Sequence, residues 1–291
     1  MRQTQFSSTK IYAVIALCVL QVVWADTIAA AGARGSPDFP TSFDSRERLA
    51  KPDLSTLQRL RFLTTVDFPP FNFIDQTGKL AGFHVDLVRA ICRDLDIESK
   101  CQIQAVPFAE LRDDLEKDAG EAVIAGMAVT SGLRRDFTFS RPYLRLPARF
   151  VVRTAAEPAG DGARALEGRP VGVVRASVHE AMLKAYFPAL RAVPFDRPSD
   201  LFSALKSGAV DAAFGDGLQM AFWIAGSQAE QCCRLFDGPY FSEAFLGEGL
   251  TVMTRKDQPA VSAAIDHALL SLTRSGRLAE IYLRYFPVSI Y

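Results

Sequence analysis

The residues best suited to metal binding, proton transfer or nucleophilic attack are three histidines, His84, His179 and His267, and five cysteines. Their spacing serves none of these chemistries well. No C-x-x-C pair occurs, and three scattered imidazoles make a poor zinc set. A G-x-S-x-G elbow and a phosphate-cradling glycine loop are both missing from the sequence. Acid–base work needs a titratable group within reach of a substrate. His179, in the first turn of a predicted helix, is the better candidate, and His84, at the start of another, reads as structural. A binding loop is the stronger feature: "AGMAVTSGLRRDFTFSRPY", residues 125–143. There an apolar strand ends, the chain turns through Thr130, Ser131 and Gly132, and Leu133 comes before Arg134 and Arg135.

The rest of the chain bounds what this loop can serve. Lysine plus arginine and aspartate plus glutamate number 33 each, so no broad field draws the protein to nucleic acid or an anionic membrane. The N-terminus has Arg2 and Lys10, then the apolar run "IYAVIALCVLQVVWA", then the small residues of "ADTIAAAGA". This is the layout of a secretory signal peptide, assigned to residues 1–31 with cleavage after Ala25 or Ala31. The run is short of the roughly 20 residues a membrane span needs, and Leu17 is too large for lipid attachment at Cys18. The mature protein is expected to be exported, soluble and monomeric, without a cofactor. In an oxidising compartment Cys92 and Cys101, on either side of "RDLDIESK", are placed to form a disulfide, the alternative being two buried thiols. The state of the adjacent Cys232 and Cys233 stays open.

Residues 32–57 mix proline, glycine, serine and charge without periodicity and read as a flexible leader. From "LRFLTTVDF" onward the pattern is strand, helix, strand, helix, strand, ending in "EAVIAG", and it repeats from "RPVGVV" to "AVDAAFGD". Two successive β-α-β-α-β runs predict two α/β lobes, each with a mainly parallel sheet flanked by helices. The segments "ARFVVRT" and "GEGLTVMTRK" read as strands passing between them, with hinges near residues 149–154 and 248–256. The expected division is 58–150 for the first lobe, 151–250 for the second, and 251–291 for the return and closing helices. Ligands of such sheets bind at strand C-termini facing the cleft.

Six pieces, in order over residues 59–287, resemble the solute-binding proteins of amino-acid-type ABC importers (family 3). They are "VDFPPFNF", "GKLAGFHVDLVRAI", "AVIAGMAVTSGLRRDFTFSRPY", "RPVGVVRASVHEAM", "SALKSGAVDAAFGD" and "LTRSGRLAEIYLRYF". The resemblance implies the two-lobed type II periplasmic-binding-protein clamp, a small-molecule ligand and a permease partner. It places Phe68 and Phe108 as aromatic walls and Asp216 as acceptor of a ligand ammonium, the alternative for Asp216 being a helix cap. Around Arg175, Ala176 and Ser177 it places hydroxyl and N–H groups for a ligand carboxylate. Gly126, Ala128, Thr130, Leu133 and Arg134 belong to its ligand loop.

The loop departs from the family at its main grip. In the family's amino-acid binders the third residue after the loop threonine is an arginine clamping the α-carboxylate. Here that place is held by Leu133, and Ala128 stands where a hydroxyl is frequent. A buried carboxylate without its charged partner costs about 3 to 5 kcal/mol. Three readings follow: a ligand that is an amine or other cation without an α-carboxylate, a carboxylate held instead by Arg175 or Arg134, or a degenerate relative that senses or scaffolds. The resemblance extends to periplasmic dehydratases of the cyclohexadienyl type, which makes an enzyme the alternative function.

Overall fold

The computed structural model describes residues 46–286 together with Phe43, Ile290 and Tyr291. The expected signal peptide lies outside the described residues. Chain order begins with β1 (Leu60–Thr64), the small antiparallel sheet of β2 (Asp67–Phe68), β3 (Asn72–Ile74) and β4 (Leu80–Ala81), and helix α1 (Phe83–Asp94). Helix α1 can start only after a glycine: Gly82 has φ +127°, and a Cβ there would lie 2.2 Å from the Phe71 carbonyl oxygen. Then come β5 (Cys101–Ala105), α2 (Leu111–Glu116), β6 (Ala122–Val123), α3 (Ser131–Asp136) and β7 (Phe137–Phe139).

The second lobe holds β8 (Ala148–Arg153), β9 (Pro170–Val174), α4 (Val178–Tyr186), β10 (Arg191–Phe195), α5 (Pro198–Ser207), β11 (Ala212–Asp216), α6 (Gly217–Ala225) and β12 (Cys233–Tyr240). After the short α7 (Glu243–Leu246), the chain returns as β13 (Met253–Arg255), α8 (Pro259–Arg274) and α9 (Arg277–Tyr285). One sheet runs β5-β1-β6-β13-β7 and the other β10-β9-β11-β8-β12. In each, three parallel strands from the β-α-β-α-β run are extended by antiparallel strands.

Strand β8 corrects the expected division. Its residues Ala148 to Val152 are buried, and it lies between β11 and β12, so it belongs wholly to the second sheet. An apolar run buried on both faces is a central strand, so neither a boundary at 150 nor a hinge at 149–154 holds. The first crossing is residues 140–147, and the second is residues 241–252, ahead of β13. The crossings pair with each other: Tyr143 N–H donates to Leu250 O at 2.9 Å, and Leu250 N–H to Leu144 O at 2.7 Å. The chain touches this place a third time. Ile290 is fully buried, its carbonyl accepts from the buried Arg149 side chain at 3.0 Å, and the Tyr291 hydroxyl donates to Arg145 O at 2.8 Å.

Residues 46–57, expected as part of the leader, lie packed on the first lobe. Glu47 is bridged by the Arg141 guanidinium, Lys51 pairs with Asp96 at 2.7 Å, His267 Nδ1 donates to Leu49 O at 2.8 Å, and Leu54 is buried. Sparse apolar residues hid this, because three leucines, Leu49, Leu54 and Leu57, and a few ion pairs make no periodic signal.

The Cys92–Cys101 disulfide is present, and Cys232 and Cys233 form a second one between neighbours. His84 is fully buried between Asn72 Oδ1 at 2.8 Å from Nδ1 and the Tyr143 hydroxyl at 2.7 Å from Nε2. With Nδ1–H donating to the amide oxygen, Nε2 is left to accept from the tyrosine. Helix α1, the β3 hairpin and the first crossing are riveted together through one ring.

Two outcomes follow from these contacts. Replacing Cys92 and Cys101 by alanine together should lower unfolding free energy by about 2 to 3 kcal/mol, the loop-closure contribution of a short ring, measured by urea melts. Alkylation of both thiols in native unreduced protein would contradict the bridge. Burial also pushes His84 down to about 3 from its ordinary 6.5. The unfolded chain therefore binds a proton that the folded chain refuses, and stability falls as pH drops below 6.5. By pH 5.0 this amounts to about 2 kcal/mol. Urea melts should show that slope in the native protein and its loss in His84→Gln; an unchanged slope in the variant would assign it elsewhere.

Candidate functional site

The parallel strands of each sheet end on one edge, and the expected site residues stand at or just beyond those ends. In the first lobe, Phe68 stacks on Phe71 with centroids 4.6 Å apart and reaches the backbone after β6. Gly126 has φ +73°, and a Cβ there would come within 2.8 Å of the Phe68 ring, so only glycine lets the ring lie on the loop. Phe68 and Gly126 are therefore brought together. Phe108 follows β5 in a single turn ahead of α2 and is 52% exposed.

Thr130 caps α3, its hydroxyl accepting from Leu133 N–H at 3.2 Å. The Leu133 side chain packs against the core group of Leu63, Leu111, Leu115 and Val123. Helix α3 is thus tied to its own lobe by an apolar contact at the position expected to meet the ligand. Ala128 is exposed on the approach to this turn. Arg134 turns away from the loop: its guanidinium bonds Glu248 on the second crossing at 2.5 Å and lies 5.7 Å from the centre of the Phe139 ring.

The second lobe supplies the remaining residues. Arg175, just past β9, is held by Asp196, just past β10, at 2.6 Å. Ser177 caps α4, accepting from Glu180 N–H at 3.1 Å and donating to Val174 O at 2.6 Å. The Glu180 carboxylate reaches back to Ala176 N–H at 2.6 Å and is held by Lys184 at 2.7 Å. Backbone donation from Ala176 and the hydrogen bond from Lys184 hold Glu180 below the usual carboxylate range, the lysine being the larger cause. Ala176 has φ 54°, the left-handed conformation that lets its N–H turn inward. Asp216 caps α6, with Oδ1 accepting from Gln219 N–H at 2.8 Å, while Oδ2 makes no hydrogen bond among the described residues. The helix-cap alternative for Asp216 is thus realised by one oxygen only.

The expected residues form two separate groups. Among the described residues no hydrogen bond or ring contact joins the first-lobe set to Arg175, Ser177 or Asp216. Both arginines expected near a ligand already hold carboxylates, and Asp216 keeps one oxygen without a hydrogen bond among the described residues. The partners Glu248 and Asp196 were missed by sequence reasoning. Glu180 was legible, since Ser177-x-x-Glu180 has the spacing of a capping box. Glu248 carries no local signal, standing 114 residues from Arg134.

Comparison with known proteins agrees with this architecture. A protein of Escherichia coli named putative ABC transporter arginine-binding protein 2 is 28% identical over 231 residues, 79% of this chain and 91% of its own length. The L-arginine-binding protein of Pseudomonas aeruginosa is 26% identical over 249 residues, 84% and 93% of the two chains. Among solved structures, the second substrate-binding domain of a putative amino acid ABC transporter from Streptococcus pneumoniae aligns with TM-score 0.66 at 21% identity, covering 78% of this chain and all of that one. That likeness carries the fold, the two-lobed type II clamp. The model of the bacterial extracellular solute-binding proteins, family 3, matches residues 60–288, and the chain belongs to that family.

Proposed function

We propose that the protein, exported by its N-terminal signal into the periplasm, captures a small cationic solute and delivers it to the permease of an ABC importer as a monomer. The solute is an amine or an amino acid recognised by its positive group. One observation carries this reading: of the residues expected to meet a ligand, Asp216 keeps a carboxylate oxygen without a hydrogen bond among the described residues, while Arg134 and Arg175 are both committed to carboxylates. Arg134 is engaged by Glu248 and Arg175 by Asp196, and Leu133 is packed into its own lobe. A ligand carboxylate would have to break an ion pair to reach either Arg134 or Arg175. A ligand ammonium or guanidinium meets an acceptor at once. Phe68 and Phe108 supply ring faces, which attract cations through their quadrupoles. Relatives named for binding arginine, or lysine, arginine and ornithine, point the same way. None of those names supports the dehydratase alternative.

Arginine and its decarboxylated counterpart agmatine separate the cationic group from the carboxylate. Calorimetry on the native protein should find the two within about threefold of each other, and no binding of glutamate. Leu133→Arg should raise arginine affinity about tenfold and leave agmatine unchanged, because a charge-assisted hydrogen bond is worth about 1.5 to 3 kcal/mol. Arginine preferred a hundredfold over agmatine by the native protein would show that the carboxylate is gripped after all. Binding of glutamate in place of both would overturn the cationic reading.

A further inference from the structure

His179 stands in the first turn of α4, half-buried at the same edge as Asp216. Its ring lies edge-on to Phe214 with centroids 6.4 Å apart. Phe214 and Asp216 are two residues apart on β11, so their side chains leave one face of the sheet. Met182 and Leu183 of α4 pack on Phe214 from that face. The imidazole therefore occupies the corner between the start of the helix and the Asp216 carboxylate.

Resting on the cationic-solute reading above, we propose that His179 is a specificity-determining residue of the solute site, the neutral ring leaving Asp216 open to a cation and offering it a nitrogen, the protonated ring taking the cation's place. The other charges around α4 are placed or engaged elsewhere. Strand β9 has no titratable side chain, and on β10 Arg191 stands level with Pro170, at the end of the sheet away from Asp216. Asp211 precedes β11 at that same far end, beside Arg153. Glu243 comes from α7, which meets α4 at its other end, where Phe245 touches Tyr186. Glu180 and Lys184 bind each other, and Arg175 binds Asp196. Asp216 is left as the charge facing the ring. Burial pushes His179 down from its ordinary 6.5, and Asp216 pulls it partly back. A bound cation stabilises the neutral ring further, so affinity falls as pH drops through the His179 midpoint, by up to about tenfold per pH unit.

Calorimetry with arginine as probe should show lower affinity at pH 5.0 than at pH 7.5, by up to about tenfold for each pH unit below the His179 midpoint. His179→Gln keeps a neutral hydrogen-bonding side chain that cannot titrate. Whatever its affinity at pH 7.5, it should keep that affinity at pH 5.0, while the native protein loses affinity over the same range. The same pH profile in both proteins overturns the proposal. A second arm needs no solute: the His179 ring midpoint, followed by NMR, should be lower in Asp216→Asn than in the native protein. An unmoved midpoint overturns the proposal even if arginine binds. Failure of arginine to bind at every pH, with a midpoint that does move, sinks the cationic-solute reading and leaves the coupling of ring and carboxylate standing.

Discussion

The short antiparallel pairing of the two crossings, at Tyr143, Leu144 and Leu250, is the contact on which the arrangement of the lobes depends. Each sheet is completed by a strand lying beyond a crossing: β8 enters the second sheet just after the first crossing, and β13 enters the first sheet just after the second. Without that pairing the two lobes would share covalent links but no common frame. Ser140 strengthens it, with its N–H on Val252 O at 2.8 Å and its hydroxyl accepting from Val252 N–H at 2.9 Å. The frame is also held from outside, because Arg149 and the stretch at Ile290 and Tyr291 tie the closing helices to β8 and the first crossing. Rotation about paired backbone segments is a hinge motion that spares the interiors of both lobes.

Burial around this frame is selective about polar groups. His84 sits beside the first crossing with both ring nitrogens bonded, so its position costs proton affinity and leaves no unmade hydrogen bond. Proton transfer to a substrate is closed to such a ring, and its role is to align α1 with Tyr143. His179 is the contrasting case. It is half-buried at a strand-end edge, with a carboxylate rather than a hydroxyl for a neighbour. One imidazole serves packing, and the other remains sensitive to charge.

The same economy shapes the charges at the strand ends. The loop that could present a guanidinium presents Leu133, which spends its side chain on the first lobe's interior. The neighbouring Arg134 is drawn to the second crossing by Glu248, and Arg175 to Asp196 across the ends of adjacent parallel strands. These ion pairs are exposed and individually weak. Their importance lies in occupancy: each neutralises a cation that a ligand carboxylate would need. Asp216, by contrast, keeps one carboxylate oxygen open among the described residues.

Much of this was legible in the amino-acid order. Two β-α-β-α-β runs show as alternating apolar strands and 3.6-periodic helices, and Gly208 closes α5, so the paired lobes follow from local pattern alone. The disulfide partners Cys92 and Cys101 were readable because a short ring between a helix end and a strand start leaves little freedom. Leu133 was visible as a departure from family pattern, since position along a loop is a property of sequence. The tertiary structure decided the rest. That Ala148–Arg153 is a central strand and not a hinge depends on β12 pairing from 80 and more residues away. That residues 46–57 pack depends on partners just past α1, in α8 and in the first crossing. Which arginine stays free for a ligand depends on Glu248 and Asp196, whose approach is set by the crossing and by the register of β9 with β10. Periodicity reports how a segment divides between core and solvent; it carries no information about which distant charge will arrive beside it.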